Sequence, residues 1–471
     1  MKNVGLFNYI GGRRCAVLGM GVSNLPLVRQ LCEWGADVTV YDKRNVSELG
    51  KEAENFLQKG VKFAVADGDF SEIDGELIFR SPGIRPDKKG IKQAVDDGAE
   101  LTSEIELLLK LVPTATYAIT GSDGKTTTTT LTGKFLQADS DGQVYVGGNI
   151  GTPLLCRCED MTKEDKTVLE LSSFQLMTAC ASPQYVAITN VSPNHLDWHT
   201  DMDEYVNAKK NIIGKQTKRF VTNADCPATV GIAKDSQVEE IYLFSSTKSA
   251  GQVFELCPEC TVAITIDNGF ICVNDGNKSF SVLNMDDINV PGIHNAENFM
   301  TAIGLTLGHV PAEIYGKVAR EFFGVEHRLE FVRRLGDVSY YNSSIDSSPT
   351  RTSAALSAMK DKSLVIICGG YDKNLDYAPL GEAICGHGGI RAVVLTGATA
   401  EKIGKAVEDF SAEHPPLIYR NDFLDAVNTA RDTARAGDCV VLTPASASFD
   451  AFKNFDERGK TFKRIVNSFG E

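Results

Sequence analysis

The chain has 471 residues, 42% of them hydrophobic and 23% charged, and a net charge of −14. This length exceeds one hydrophobic core and suggests about three domains of an ordinary soluble globular kind. The acidic balance argues against nucleic acid as a partner, although one helix N-terminus still suffices to bind a phosphorylated ligand. The twelve cysteines lack paired metal spacings and read as reduced thiols. Met1 to Arg14 lacks the apolar stretch of a signal peptide, and no apolar run reaches roughly 18 residues. The expectation is a cytoplasmic monomer with no membrane insertion.

In chain order, a strand-like run at Cys15–Leu18 leads through Gly19-Met20-Gly21 into an amphipathic stretch, Asn24–Trp34, and then a second run at Val38–Tyr41. A third, Tyr117–Thr120, runs through a glycine turn into a helical stretch at Thr126–Gln137. Further runs follow at Val168–Leu171 and Tyr185–Thr189, and 240–290 loosens into short segments with turns such as Asp267-Asn268-Gly269. A helical stretch at Thr352–Met359 precedes runs at Leu364–Cys368, Ala392–Leu395 and Cys439–Leu442. Alternating βα units predict an α/β protein of three domains, each a largely parallel sheet flanked by helices. The expected segments are a Rossmann-like 1–112, a central P-loop-type 113–324 and a second Rossmann-like domain at 325–471.

The strongest local chemistry lies in Gly121-Ser122-Asp123-Gly124-Lys125-Thr126-Thr127, between strand and helix. Glycines let amides approach phosphate oxygens, and the helix N-terminus adds positive partial charge. Lys125 suits the β/γ-phosphates and the Thr126 hydroxyl suits Mg²⁺. The turn is two residues shorter than G-x-x-x-x-G-K-[ST]. Glu170 ends a strand-like run, where ligands of parallel sheets bind, and can hold a divalent cation. His195, in Asn194-His195-Leu196-Asp197, suits a metal, a ligand or a structural role; Asp197 and His199 are weaker candidates. Gly19-Met20-Gly21 with Asp42 fits a dinucleotide site except that Asn24 replaces the third glycine.

The short phosphate turn and its run of threonines resemble the Mur ligases and the related folylpolyglutamate synthetases. That resemblance implies ATP and Mg²⁺, with Thr126, Glu170, His195 and Lys209 around the metal and Lys209 in carbamylated form. It places Asn295 and Asn298, of His294-Asn295-Ala296-Glu297-Asn298, near the adenine, and brings Arg328 to the phosphates. The N-terminal domain then takes a UDP-sugar rather than a dinucleotide. Asp42 and Lys43 lie near the uracil, Gly21, Val22 and Ser23 at the diphosphate, and the turn Ser81-Pro82-Gly83 in the same domain. Asn149, of Gly148-Asn149-Ile150-Gly151, lies near the sugar, and Ser172 and His195 count among the substrate contacts.

The C-terminal runs Thr443–Asp450 and Phe452–Gly459 resemble those of the branch that adds D-glutamate to UDP-N-acetylmuramoyl-L-alanine, the two substrates so implied. Ser448, Phe449, Asn454 and Phe455 would hold one glutamate carboxylate, with Lys373 on the other and Ser347 facing the ligand. One position departs: Ser343 stands where relatives carry a nucleotide-binding aspartate, and Asp346 is its candidate replacement.

Overall fold

A computed structural model of the chain describes residues 9–21, 24–151, 153–179, 182–196, 198–290, 292–373 and 375–470. The chain forms two compact units, Met1–Glu321 with two sheets and Phe322–Glu471 with one.

The first sheet comprises β1 (Arg14–Leu18), β2 (Asp37–Asp42), β3 (Lys62–Val65), β4 (Leu77–Arg80) and β5 (Glu100–Thr102), ordered β3-β2-β1-β4-β5. All its pairings are parallel. The second contains β6 (Ala115–Thr120), β7 (Val144–Gly148), β8 (Lys166–Glu170), β9 (Tyr185–Ile188), β10 (Arg219–Asn223), β11 (Glu240–Ser245), β12 (Val262–Asp267), β13 (Phe270–Asn274) and β14 (Ser279–Asn284). Its order is β14-β13-β12-β11-β10-β9-β6-β8-β7. The loosened stretch is thus an antiparallel extension, β12 to β14, turning at Asn268 and Gly269, both in left-handed backbone.

These strands read as continuous apolar runs because helices cover both faces of a parallel sheet. From β6 the chain crosses to β7 and β8 on one side and then to β9 on the other. The β6–β9 junction is therefore a topological switch point, where open α/β sheets leave a crevice at their carboxyl ends. Register sets the site: Ile119 of β6 pairs with Glu170 of β8, which pairs with Gly148 of β7. The phosphate turn, Glu170 and Asn149 consequently emerge side by side.

One contiguous apolar core runs through both sheets of the first unit, from Val17 and Phe79 through Leu107 and Leu108 to Leu154, Leu169 and Leu243.

The second unit carries β15 (Glu330–Leu335), β16 (Val338–Asn342), β17 (Leu364–Cys368), β18 (Ile390–Thr396), β19 (Leu417–Arg420) and β20 (Cys439–Leu442), ordered β15-β16-β20-β17-β18-β19. Only β15 runs antiparallel to its neighbour. Along β17, Ile366 and Cys368 enter one core and Val365 and Ile367 the other, as the two-residue period of a strand requires. Among the described residues no helix is long and apolar enough to cross a membrane.

Candidate active site

The phosphate turn leaves β6 at Thr120 and enters the helix Lys125–Ala138. Gly121 has φ 151° and Gly124 φ 78°. A Cβ at Gly121 would overlap Thr189 Oγ1, and one at Gly124 would overlap Asn298 Oδ1. Glycine is thus required twice, for backbone conformation and for space. The next strand's end anchors the turn. Ser122 N donates to Asn190 O at 3.0 Å, Asp123 N to Asn190 Oδ1 at 2.9 Å, and Thr189 Oγ1 to Asp123 O at 2.5 Å. The helix starts on Gly124 with no side-chain cap, so its first amides are donors for an anion. Thr126 is half-buried and Thr127 buried at that first turn.

Two lysines converge on the turn. Lys125 Nζ donates to Gly121 O at 2.9 Å and Ser122 O at 2.8 Å. Lys209 Nζ, 1% exposed, donates to Gly121 O at 2.8 Å and lies 4.3 Å from the centre of the Tyr205 ring. Tyr205 stands one turn before Lys209 in the helix Met202–Lys210, and its hydroxyl lies 3.0 Å from Ser122 Oγ. Burial, and then the charge of Lys125, lower the Lys209 pKa to about 7. Lys210 instead pairs with Asp235 at 3.6 Å.

Glu170 is 2% exposed. Its Oε1 accepts from Asn149 Nδ2 at 2.8 Å, while Oε2 has no hydrogen-bond partner. A buried carboxylate oxygen without a partner is costly, and oxygen donors of this kind suit a divalent cation. Gly148 lets the Asn149 loop approach, since a Cβ there would overlap Glu170 O. Ser172 caps the short helix Ser173–Leu176, with Gln175 bonding back to it. His195 is exposed on left-handed backbone (φ 56°), its ring 5.0 Å from that of Phe174. His199 is buried, with Nε2 2.9 Å from Ser173 Oγ and Nδ1 3.3 Å from Glu204. Asn298, buried in the helix Ile293–Thr306, donates to Asn295 Oδ1 at 3.3 Å and accepts from Thr128 Oγ1 at 3.3 Å.

In the first sheet, Asn24 explains the missing third glycine. Its side-chain amide donates to Leu18 O at 3.2 Å and Gly19 O at 2.8 Å, closing the turn. Asp42 accepts from Met20 N at 2.8 Å and Arg44 N at 3.0 Å, and its two oxygens accept from Nε and Nη2 of the Arg44 guanidinium. Burial raises its pKa, but Arg44 and the two amides outweigh this and hold the carboxyl down to about 2. Gly21, Lys43 and Gly83 are exposed. Ser81 N donates to Leu18 O at 3.1 Å, which sets the Ser81-Pro82-Gly83 turn beside the glycine turn. Val22, Ser23 and Asp197 lie outside the described residues.

In the second unit, Arg458 is the organiser that sequence reading passed over. It is 2% exposed. It donates to Ser344 Oγ at 3.1 Å and to the carbonyls of Ser344, Ser446 and Ala447 at 2.9, 3.0 and 3.1 Å. It thereby ties the Ser344–Ser347 loop to the Ser446–Phe449 loop. Ser448 is buried and Phe449 exposed, with Lys373 Nζ 5.5 Å from the Phe449 ring centre. Asn454 caps the helix Phe455–Asn467 by accepting from Glu457 N, and Phe455 O accepts from Ser344 Oγ at 2.7 Å. Asp346 accepts from Thr443 Oγ1 at 3.1 Å. Burial raises its pKa to about 6 against the opposing pull of Ser343, Thr443 and Arg328. Ser343 Oγ accepts from Leu329 N at 3.1 Å. Ser347 is half-buried and Arg328 exposed.

Residues 13–103 match the MurD-like N-terminal domain of Mur ligases, 119–306 the Mur ligase middle domain, and 327–446 the Mur ligase glutamate ligase domain. Relatives from Ruminiclostridium cellulolyticum and Acetivibrio thermocellus, each named UDP-N-acetylmuramoylalanine--D-glutamate ligase, are 42% identical, over 98% of this chain and 97% of theirs. A relative of the same name from Clostridium novyi is 42% identical over 98% of both. The fold is shared with the UDP-N-acetylmuramate-alanine ligase of Thermotoga maritima, at TM-score 0.55 and 16% identity, covering 97% of this chain and 99% of that one. It is shared too with a UDP-N-acetylmuramoyl-L-alanyl-D-glutamate--2,6-diaminopimelate ligase, at TM-score 0.54 and 17% identity, covering 97% and 92%. A phosphate turn braced by its neighbouring strand, a buried glutamate with one unpartnered oxygen beside it and relatives alike over 98% of the chain lead to one conclusion: the chain belongs to the Mur ligase family.

Proposed function

We propose that the protein joins D-glutamate to the L-alanine carboxylate of UDP-N-acetylmuramoyl-L-alanine, consuming ATP and releasing ADP and phosphate, in peptidoglycan precursor synthesis. The observation that carries this reading is the phosphate turn with Glu170 and Lys209 beside it, in a chain 42% identical to ligases of that name. The protein acts as a monomer in the cytoplasm, its segments 1–112, 113–324 and 325–471 each bringing one substrate.

The first amides of the helix Lys125–Ala138 hold the phosphates, and Lys125 leaves the carbonyls of Gly121 and Ser122 to reach the β/γ-phosphates. Asn295 and Asn298 face the adenine edge, where an amide both donates and accepts. Mg²⁺ would be held by Glu170 Oε2, Thr126 and His195, with Lys209 joining once its neutral amine has formed a carbamate, and would supply charge neutralisation on the phosphates. The terminal carboxylate of the UDP-sugar substrate attacks the γ-phosphorus, and Lys125 and Arg328 stabilise the transferring charge. The amine of D-glutamate then attacks the acyl phosphate, and the tetrahedral intermediate collapses to amide and phosphate. Ser448 and the amides at Asn454 and Phe455 hold one glutamate carboxylate, and Lys373 pairs with the other, so that the amine alone is free to react.

Phosphate release is the test, with UDP-N-acetylmuramoyl-L-alanine and ATP supplied alongside D-glutamate, L-glutamate, D-aspartate or L-lysine. Release should depend on D-glutamate, and Lys125→Ala should slow it at least about a hundredfold. Equal rates with L-glutamate, or release indifferent to Lys125, would remove this assignment.

A further inference from the structure

Arg80 ends β4 and is 1% exposed, among the largest fully buried side chains of the described residues. Burial lowers its pKa to about 10 against the opposing charge of Glu106, so the guanidinium stays charged at neutral pH. The hydrogen bonds it donates end on carbonyl and hydroxyl oxygens. Nη1 reaches Ser81 O at 3.4 Å, Pro82 O at 3.1 Å and Ile84 O at 2.6 Å. Nη2 reaches Phe174 O at 2.8 Å and Thr178 Oγ1 at 3.3 Å. Nε is buried with no partner.

A buried cation satisfied mainly by carbonyl dipoles is an expensive way to fill space. What the planar fork does and an apolar side chain cannot is to bind two backbone segments at fixed separation. One is the turn after β4; the other begins just beyond Glu170 and Ser172. The same turn is strapped a second time. Arg85 donates to Trp198 O at 2.7 Å and to both oxygens of Glu204 at 2.9 and 3.1 Å, in the helix that carries Lys209. Trp198 Nε1 in turn donates to Gly83 O at 3.3 Å. Both straps lie within the first compact unit.

We infer that Arg80 and Arg85 are positioning residues, a double clamp that sets the Ser81–Ile84 turn in register with Glu170 and Lys209. The inference rests on the proposed reaction, in which that turn lies in the UDP-sugar domain and the other two residues serve ATP. A clamp of this kind governs alignment of two bound substrates rather than the grip on either. Misplacing reacting groups by about an ångström can cost on the order of a hundredfold in rate.

The test compares wild type with Arg80→Met, Arg80→Lys and Arg85→Met. Calorimetry gives the affinity for UDP-N-acetylmuramoyl-L-alanine with and without a non-hydrolysable ATP analogue, and steady-state kinetics give kcat and each KM. Single-ligand affinities should stay within about twofold, kcat should fall about ten- to a hundredfold, and the effect of each ligand on the other's affinity should shrink. Arg80→Lys, retaining charge but not the fork, should recover little. Arg85 is partly exposed, so its variant reads the second strap should Arg80→Met fail to fold. Folded variants with wild-type kcat, or a loss confined to KM, would overturn the clamp. Wild type without D-glutamate-dependent turnover would count against the ligase reading instead, and the calorimetric coupling would still decide the clamp.

Discussion

Two forces push the Lys209 amine toward its neutral form, burial first and repulsion from Lys125 second. Its folded pKa of about 7 lies below the ordinary lysine value of about 10.4. Between those values the unfolded chain holds a proton that the folded amine has shed, so stability rises with pH across that window. Below about pH 7 both states are protonated and the penalty of the buried cation persists in full. Lys209→Met should therefore be more stable than wild type in CO₂-free buffer at about pH 6.5, with the gap narrowing toward about pH 9.5. Urea midpoints at the two values check this, and a gap independent of pH would place the charge elsewhere. The same neutral amine is the form that reacts with CO₂, which links the depressed pKa to the proposed carbamate.

At the scale of elements, helix starts decide much of the site. The helix Lys125–Ala138 opens on left-handed Gly124, and the glycine-lysine turn made that start readable. The helix Pro349–Ala358 begins three residues before the Thr352 expected from amphipathicity, because proline suits a first turn where its missing N–H is not needed. In the helix Phe455–Asn467, Asn454 caps the start while Arg458 turns inward against the Ser344 and Ser446 loops. Arg458→Met would strand those buried carbonyls. It should lower stability by about 2–4 kcal/mol in urea unfolding and raise KM for D-glutamate more than KM for ATP. Unchanged stability would mean that the loops hold themselves.

At the scale of the whole molecule, the two units differ in how they share their cores. Both core clusters on the third sheet are built only from residues beyond Phe322. The first two sheets instead share their larger core, in which Leu107 and Leu108 lie with Leu154 and Leu155, and only a small cluster around Leu18, Ile78 and Ile91 belongs to the first sheet alone. The segment 322–471 expressed alone should unfold in a single cooperative urea transition, whereas 1–112 alone should not, because it would leave its face of the shared core in water. Circular dichroism of both fragments tests this; cooperative unfolding of 1–112 would contradict the shared core.

What sequence alone determined is local: the βα alternation, the glycine-lysine turn, and the runs around Glu170, Lys209 and Ser448. Each depends on residues adjacent in the chain, where backbone conformation and strand or helix period act directly. The fit of Asn24, the pairing of Asp42 with Arg44 and the register of Lys209 needed coordinates, because neighbouring side chains compete for the same partners. Only tertiary structure brought Arg80 to Phe174, 94 residues away, and Arg458 to Ser344, 114 residues away. No spacing rule connects such pairs. Their roles arise because a buried guanidinium must find oxygen acceptors, and which loops supply them is decided when the sheets pack.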